Sequence, residues 1–159
     1  MAEAELVAAL SGIDLFAGVP PKVISRIAET GEREAYAAGS HVISQGDEVA
    51  GFRAFSLPVV GMHVILEGTA TVLVHGEPAA TLRPGQYFGE LSLIDGLPRS
   101  ADVVADAGGL LTFAISKWTF ESLLEDHPEV AVPMLRVLCA RLRAHEAVDP
   151  GGPAAPAPR

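Results

Sequence analysis

Residues 88–101 read Phe88-Gly89-Glu90-Leu91-Ser92-Leu93-Ile94-Asp95-Gly96-Leu97-Pro98-Arg99-Ser100-Ala101. Gly85 and Gly89 allow tight backbone ahead of a four-residue run, Glu90-Leu91-Ser92-Leu93, that can close one helical turn. The first N–H groups of such a turn have no partner within the helix and carry partial positive charge, which suits an anion. Arg99 follows just after Pro98, at the head of a strand, where its planar fork can close on the same anion with two parallel hydrogen bonds. Ser100 adds a hydroxyl donor. Glu90 repels an anion, so its role is to accept a hydrogen bond from a hydroxyl on the same ligand, such as a ribose 2′-OH. The window therefore describes a small ligand with one negative group and a nearby hydroxyl.

Outward from this window, residues 34–115 carry short β-branched runs at 41–44, 62–66, 70–74, 79–82, 101–105 and 110–115, separated by recurrent glycines. That rhythm suggests a barrel or sandwich. Gly68 reads as a hairpin turn between two strands, and His75-Gly76-Glu77-Pro78 as a second tight turn. Before the strands, Ala4, Leu6, Val7 and Leu10 mark one helix face ended by Gly12. Pro20-Pro21 then starts a second helix with Val23, Ile24, Ile27 and Ala28 on its face. After them, Ser116 is a good N-cap for a helix facing inward through Phe120, Leu123 and Leu124, and His127-Pro128 breaks it. A last helix presents Leu135, Leu138, Cys139 and Leu142 on one face, with Pro133 expected to kink or delay it. The expected domain is 1–147, with 148–159 a flexible Pro/Ala/Gly tail.

The 159 residues are 49% apolar and 19% charged, enough for one packed core. Net charge is -9, the opposite of a chain that grips phosphate backbones, which argues against DNA or RNA as a partner. The N-terminus starts acidic, so no signal peptide is expected. The longest apolar stretch, 54–66, is too short and too interrupted to span a bilayer. Cys139 is the only cysteine. It rules out an internal disulfide, fits a reducing compartment and reads as a small core residue. The expected setting is cytoplasmic.

The five histidines are scattered, with no His-x-His pair and no converging carboxylates, so no metal site is expected and they read as surface residues. Ser92 and Ser100 lie in no Gly-x-Ser-x-Gly elbow, which leaves no hydrolase nucleophile. No catalytic residue is assigned. Trp118 reads as a helix-packing residue, and Glu29, Glu32 and Glu34 as a solvated acidic face.

The window from Phe88 to Ala101 resembles the phosphate-binding cassette of cyclic nucleotide-binding domains, the family of catabolite activator proteins and kinase regulatory subunits. Phe88-Gly89-Glu90 and Pro98-Arg99-Ser100-Ala101 carry its two halves. Leu15-Phe16, Gly46-Asp47, the hairpin from Ile65 through Gly68 to Val72, and Phe120 with Leu123-Leu124 match further landmarks, so the likeness covers roughly residues 10–146. It implies an α+β fold: an eight-stranded jelly-roll β-barrel (a double-stranded β-helix) flanked by short N- and C-terminal helices. It implies a regulatory module rather than an enzyme, with no cofactor beyond its ligand, cAMP favoured over cGMP. Arg99 would pair with the phosphate and Glu90 with the ribose 2′-OH. Gly89, Leu91, Ser92, Ser100 and Ala101 would complete the cassette, and Leu142, Arg143, His145 and Glu146 would cap the base.

This chain departs from the family pattern in four places. An apolar insertion at 51–61 reads either as a loop folded onto the barrel or as a docking or dimer surface. Asp102 stands where a neutral residue is usual, Pro133 interrupts the helix expected to move, and no helix-turn-helix follows. The signal would therefore pass to a protein partner or across a homodimer. The alternatives are a ligand-free interaction module with a degenerate cassette, in which Arg99 merely pairs with Glu90, or a cupin-like metal enzyme.

Overall fold

The computed structural model describes residues 3–48 and 61–148; residues 51–60 of the apolar insertion and 149–159 of the tail lie outside them. Two helices open the chain. The first, α1 (Glu3–Ser11), buries Leu6 and Leu10. The second, α2 (Pro21–Thr30), has proline at its first position and turns Val23, Ile24 and Ile27 inward. A short 3-10 turn, Asp14–Phe16, joins them and buries Leu15 and Phe16.

Six antiparallel strands follow: β1 (Glu32–Tyr36), β2 (His41–Ile43), β3 (Gly61–Val74), β4 (Glu77–Leu82), β5 (Tyr87–Phe88) and β6 (Asp102–Ser116). They run in the order β1-β6-β3-β4, with β2 also on β6 and β5 also on β3. The expectation of eight strands is thus corrected to six among the described residues, in a sheet that does not close. The difference lies in β3 and β6, each of which merges two of the runs read from the sequence.

Gly68 is the pivot. It takes φ +81 inside β3 rather than turning a hairpin, and a Cβ there would lie 2.2 Å from the Gly109 carbonyl oxygen. Gly68 faces Leu110 while Ala70 faces Ala105, so residues 106–109 bulge out of β6 opposite a single residue of β3. Such a bulge bends a ladder without ending it. The hydroxyls of Thr69 and Thr71 both donate to the Asp106 carboxylate and hold the bend. The other turn falls where expected: His75 and Gly76, both at positive φ, connect β3 to β4.

The sheet's alternation splits the core in two. Met62, Val64, Phe113 and Ile115 pack outward against Leu10, Phe16, Ile24, Ile27, Phe120 and Val130 of the helical elements. Ile43, Ile65, Phe88, Val103 and Leu110 pack together on the sheet's other face. Between β5 and β6 lies α3 (Glu90–Asp95). The chain ends with α4 (Lys117–Asp126), capped by Ser116 accepting from the Thr119 N–H at 3.1 Å, a 3-10 turn at Pro128–Val130, and α5 (Ala131–Val148).

Several local expectations are overturned. Pro133 sits in the first turn of α5, where its missing N–H breaks no helical bond, so it neither kinks nor delays the helix. α5 turns Met134 inward, next to the buried Val130 of the preceding 3-10 turn, while Leu135, Leu142 and Cys139 are exposed. Trp118 is 65% exposed. Of the expected acidic face, Glu29 and Glu32 are exposed but Glu34 is half-buried on β1, and His63 is buried among sheet residues. Among the described residues no helix is long and apolar enough to cross a membrane, and no three His, Cys, Asp or Glu gather to hold a metal ion.

Candidate functional site

Strand β5 delivers the chain into a sharp corner at Gly89. This residue is the N-cap of α3 at φ 88 and ψ -1, a conformation open to glycine at little cost. A side chain here would also collide: a Cβ would lie 2.9 Å from the Gly61 oxygen and 3.0 Å from Arg99 Nη1. The helix lasts six residues and stops at Gly96, again left-handed at φ 70, whose N–H donates to the Ser92 carbonyl.

Arg99 lies beyond this turn and its backbone is held from both sides. The Gly46 N–H donates to the Arg99 carbonyl at 2.8 Å, and the Arg99 N–H donates to the Asp47 carbonyl at 2.9 Å. The Gly-Asp pair noted in the sequence is therefore the clamp that aims this strand. The Arg99 side chain runs inward and is 8% exposed. Its Nη1 donates to the Gly89 carbonyl at 2.7 Å and its Nη2 to the Gly61 carbonyl at 2.8 Å. Two of its five N–H donors are thus anchored on backbone, which fixes the plane of the guanidinium. Burial pushes its pKa down from the arginine value; the carboxylates of Asp47 and Glu90 oppose that.

Glu90, 6% exposed, is the other charged group beside the cavity. Its partner is Arg141 of α5, with Nη1 3.3 Å from Oε1; no Arg99–Glu90 ion pair forms. Burial raises the carboxyl above the ordinary glutamate range, against the pull of its own backbone N–H, Arg141 and Arg99. Arg141 also reaches Asp14 at 3.4 Å and lies 4.3 Å over the Tyr87 ring. One α5 side chain thus ties the cassette carboxylate to the turn between α1 and α2.

Gly89, Glu90, Leu91, Ser92, Arg99, Ser100 and Ala101, the seven residues predicted as one ligand site, all line a single cavity of about 170 Å³. Ile43, Val72, Leu82 and Val103 give it an apolar wall, and Tyr87 and Phe88 complete it. Asp102 faces elsewhere: its carboxylate accepts from the Gln45 N–H at 2.7 Å and lies 3.9 Å from His41.

The proposed base cap does not gather here. Neither Leu142, 59% exposed, nor Arg143 lines the cavity, and the side chains of His145 and Glu146 lie outside the described residues. The residue that α5 does bring to the cassette is Arg141, which sequence reasoning missed. The signal was present: Met134 and Arg141 are seven residues apart on one stripe of the helix, and the apolar Leu135–Leu142 stripe drew attention away. Gly61 and Asp47 were likewise missed as partners of Arg99. A carbonyl acceptor and a distant carboxylate leave no mark in sequence spacing.

Residues 57–127 match the family model of the cyclic nucleotide-binding domain. Among curated relatives, the cGMP-dependent protein kinase isozyme 1 of Drosophila melanogaster is 31% identical over 117 residues, 74% of this chain and 15% of the kinase. The cAMP-dependent protein kinase type II regulatory subunit of Drosophila melanogaster is 35% identical over 95 residues, 57% of this chain and 22% of that one. Among solved structures, the catabolite activator protein of Thermus thermophilus aligns with a TM-score of 0.67 at 27% identity, covering 84% of this chain and 60% of that one. The regulatory domain of Toxoplasma gondii PKA with cAMP aligns at 0.68 and 21% identity, covering 87% and 49%, a likeness of fold. The chain thus spans only a fraction of the length of the curated relatives it matches.

Proposed function

We propose that this chain, which carries a cyclic nucleotide-binding domain, acts through residues 1–147 as a cytoplasmic regulatory module that binds a 3′,5′-cyclic nucleotide and catalyses nothing itself. The observation that carries this is the cavity in which Arg99, Glu90 and five cassette neighbours converge. The anchored guanidinium meets the cyclic phosphate with its remaining donors, joined by the amides that open α3. Glu90 accepts from the ribose 2′-OH. The apolar wall of Val72, Leu82 and Val103 takes the sugar and base edge.

Glu90 also gives the ligand a handle on the rest of the molecule. In this structure its carboxylate is held by Arg141 of α5. A ribose hydroxyl that takes up the same carboxylate alters what holds α5, so ligand binding and helix position are linked. The exposed stripe Val132, Leu135, Cys139 and Leu142 on that helix is the surface offered to a protein partner or second copy. Between the two nucleotides, cAMP is the ligand we favour. Ser100 at the cavity rim can also serve a guanine, so the preference is modest.

Calorimetric titration of the purified chain with cAMP and with cGMP tests the reading. Saturable binding at one site, stronger for cAMP and accompanied by a rise in Tm, is the expected result. No heat and no thermal shift with either nucleotide overturns it.

A further inference from the structure

His63 lies in β3, is 1% exposed and does not line the ligand cavity. Its ring lies flat on Phe88, with centroids 5.2 Å apart and planes 13° apart. The two residues are also partners in the β3–β5 ladder. Their neighbours are the two backbone anchors of Arg99: Gly61 stands two residues before His63, and Gly89 follows Phe88 directly. The stack between His63 and Phe88 therefore lies beside both carbonyls that hold Arg99.

The imidazole is itself held in plane. Nδ1 lies 3.1 Å from Thr112 Oγ1, a fully buried hydroxyl of β6, and 3.9 Å from the Glu34 carboxylate of β1. The edge of the Tyr36 ring, also from β1, meets it at 73°. Two strands, β1 and β6, thus fix a ring whose flat face supports the corner before α3. An aliphatic residue fills space equally well but presents no flat face to Phe88.

The geometry points to His63 as a positioning residue for the Arg99 cradle: through Phe88 it sets the separation of the Gly61 and Gly89 carbonyls and so the aim of the guanidinium. The affinity arm of the test rests on the ligand reading above; the spectroscopic arm does not. Full-length parent, His63→Leu and His63→Phe are compared by hydrogen exchange of the Arg99 guanidinium protons, assigned by NMR with Arg99→Lys, and by calorimetry with cAMP. Folding is checked by circular dichroism. His63→Leu is expected to speed the exchange and weaken cAMP by about tenfold, because a loosened support costs pre-organisation. His63→Phe restores the flat ring and is expected to return both readings to within about threefold of the parent.

A folded His63→Leu with parental exchange and affinity overturns the assignment, as does failure of His63→Phe to restore the exchange rate. A parent that binds no cyclic nucleotide removes the ligand reading, and the exchange comparison still decides the role of His63. Should His63→Leu not fold, Phe88→Leu removes the other ring of the stack and leaves His63 in place. It is expected to speed Arg99 exchange, and unchanged exchange refutes the proposal.

Discussion

Replacing Arg99 by alanine removes two sets of bonds whose sizes differ. Toward the ligand, it deletes a guanidinium that offers a cyclic phosphate two parallel charged hydrogen bonds. Hydrogen bonds to charged groups are worth about 1.5–3 kcal/mol each, so the loss is about 3–6 kcal/mol, or two to four orders of magnitude in Kd. Toward the fold, it frees the half-buried carbonyl of Gly89 and the buried carbonyl of Gly61. An orphaned carbonyl costs about 1–3 kcal/mol. Against this, a cation 8% exposed no longer has to be desolvated. The net change in stability is therefore small, about 1–2 kcal/mol of destabilisation. Affinity collapses while the domain stays folded, and that contrast separates a ligand residue from a structural one. Arg99→Lys keeps the charge and loses the fork, so its affinity falls between the two. Calorimetry with cAMP and thermal unfolding of the three proteins provide the comparison. Arg99→Ala that binds like the parent, or that unfolds the protein outright, refutes the reasoning.

Three further outcomes follow from the same geometry. Gly89→Ala places a side chain at φ 88 against the Gly61 oxygen, Arg99 Nη1 and Ile43; we expect Tm to fall and cAMP affinity to drop by about tenfold or more, since strain there misaims Arg99. Gly68→Ala puts its Cβ 2.2 Å from the Gly109 carbonyl and far from the cassette, so denaturant unfolding should show a loss of about 2 kcal/mol or more with cAMP affinity unchanged in the folded fraction. Burial raises the Glu90 carboxyl, so the folded protein takes up its proton at a higher pH than the unfolded chain does. Its ionised form therefore weakens the fold as pH rises through the window between the ordinary and the raised value. The ionised form accepts from a ribose hydroxyl more strongly than the protonated form does, so cAMP binding should weaken by up to about tenfold per pH unit as pH falls through the raised value. Calorimetry across that range shows the slope, and Glu90→Gln should flatten it.

The helical segments at 3–11, 21–30 and 117–126 were legible because apolar spacing, a proline at a first position and the Ser116 cap are local signals. The seven cassette residues were legible for a related reason. They occupy one continuous window, and the left-handed corner at Gly89 is one that glycine takes at little cost. Other features depended on partners distant in the chain. Strands β3 and β6 run through Gly68 and Gly109 because Gly68 lies against the Gly109 carbonyl across the ladder, more than 40 residues away, and Gly109 against the Tyr36 carbonyl of β1. The burial of His63 depends on Thr112, Glu34 and Phe88, drawn from three separate strands. The face of α5 was misjudged because an apolar stripe says that a helix has a sticky side, not which side meets the domain. Arg141 settles that by reaching Glu90 and Asp14, residues 51 and 127 positions away. Local chemistry thus determined what the cassette is made of. Only the folding of distant carbonyls and carboxylates around it decided how Arg99 and Glu90 are held, because electrostatic and packing partners are set by distance in space, not along the chain.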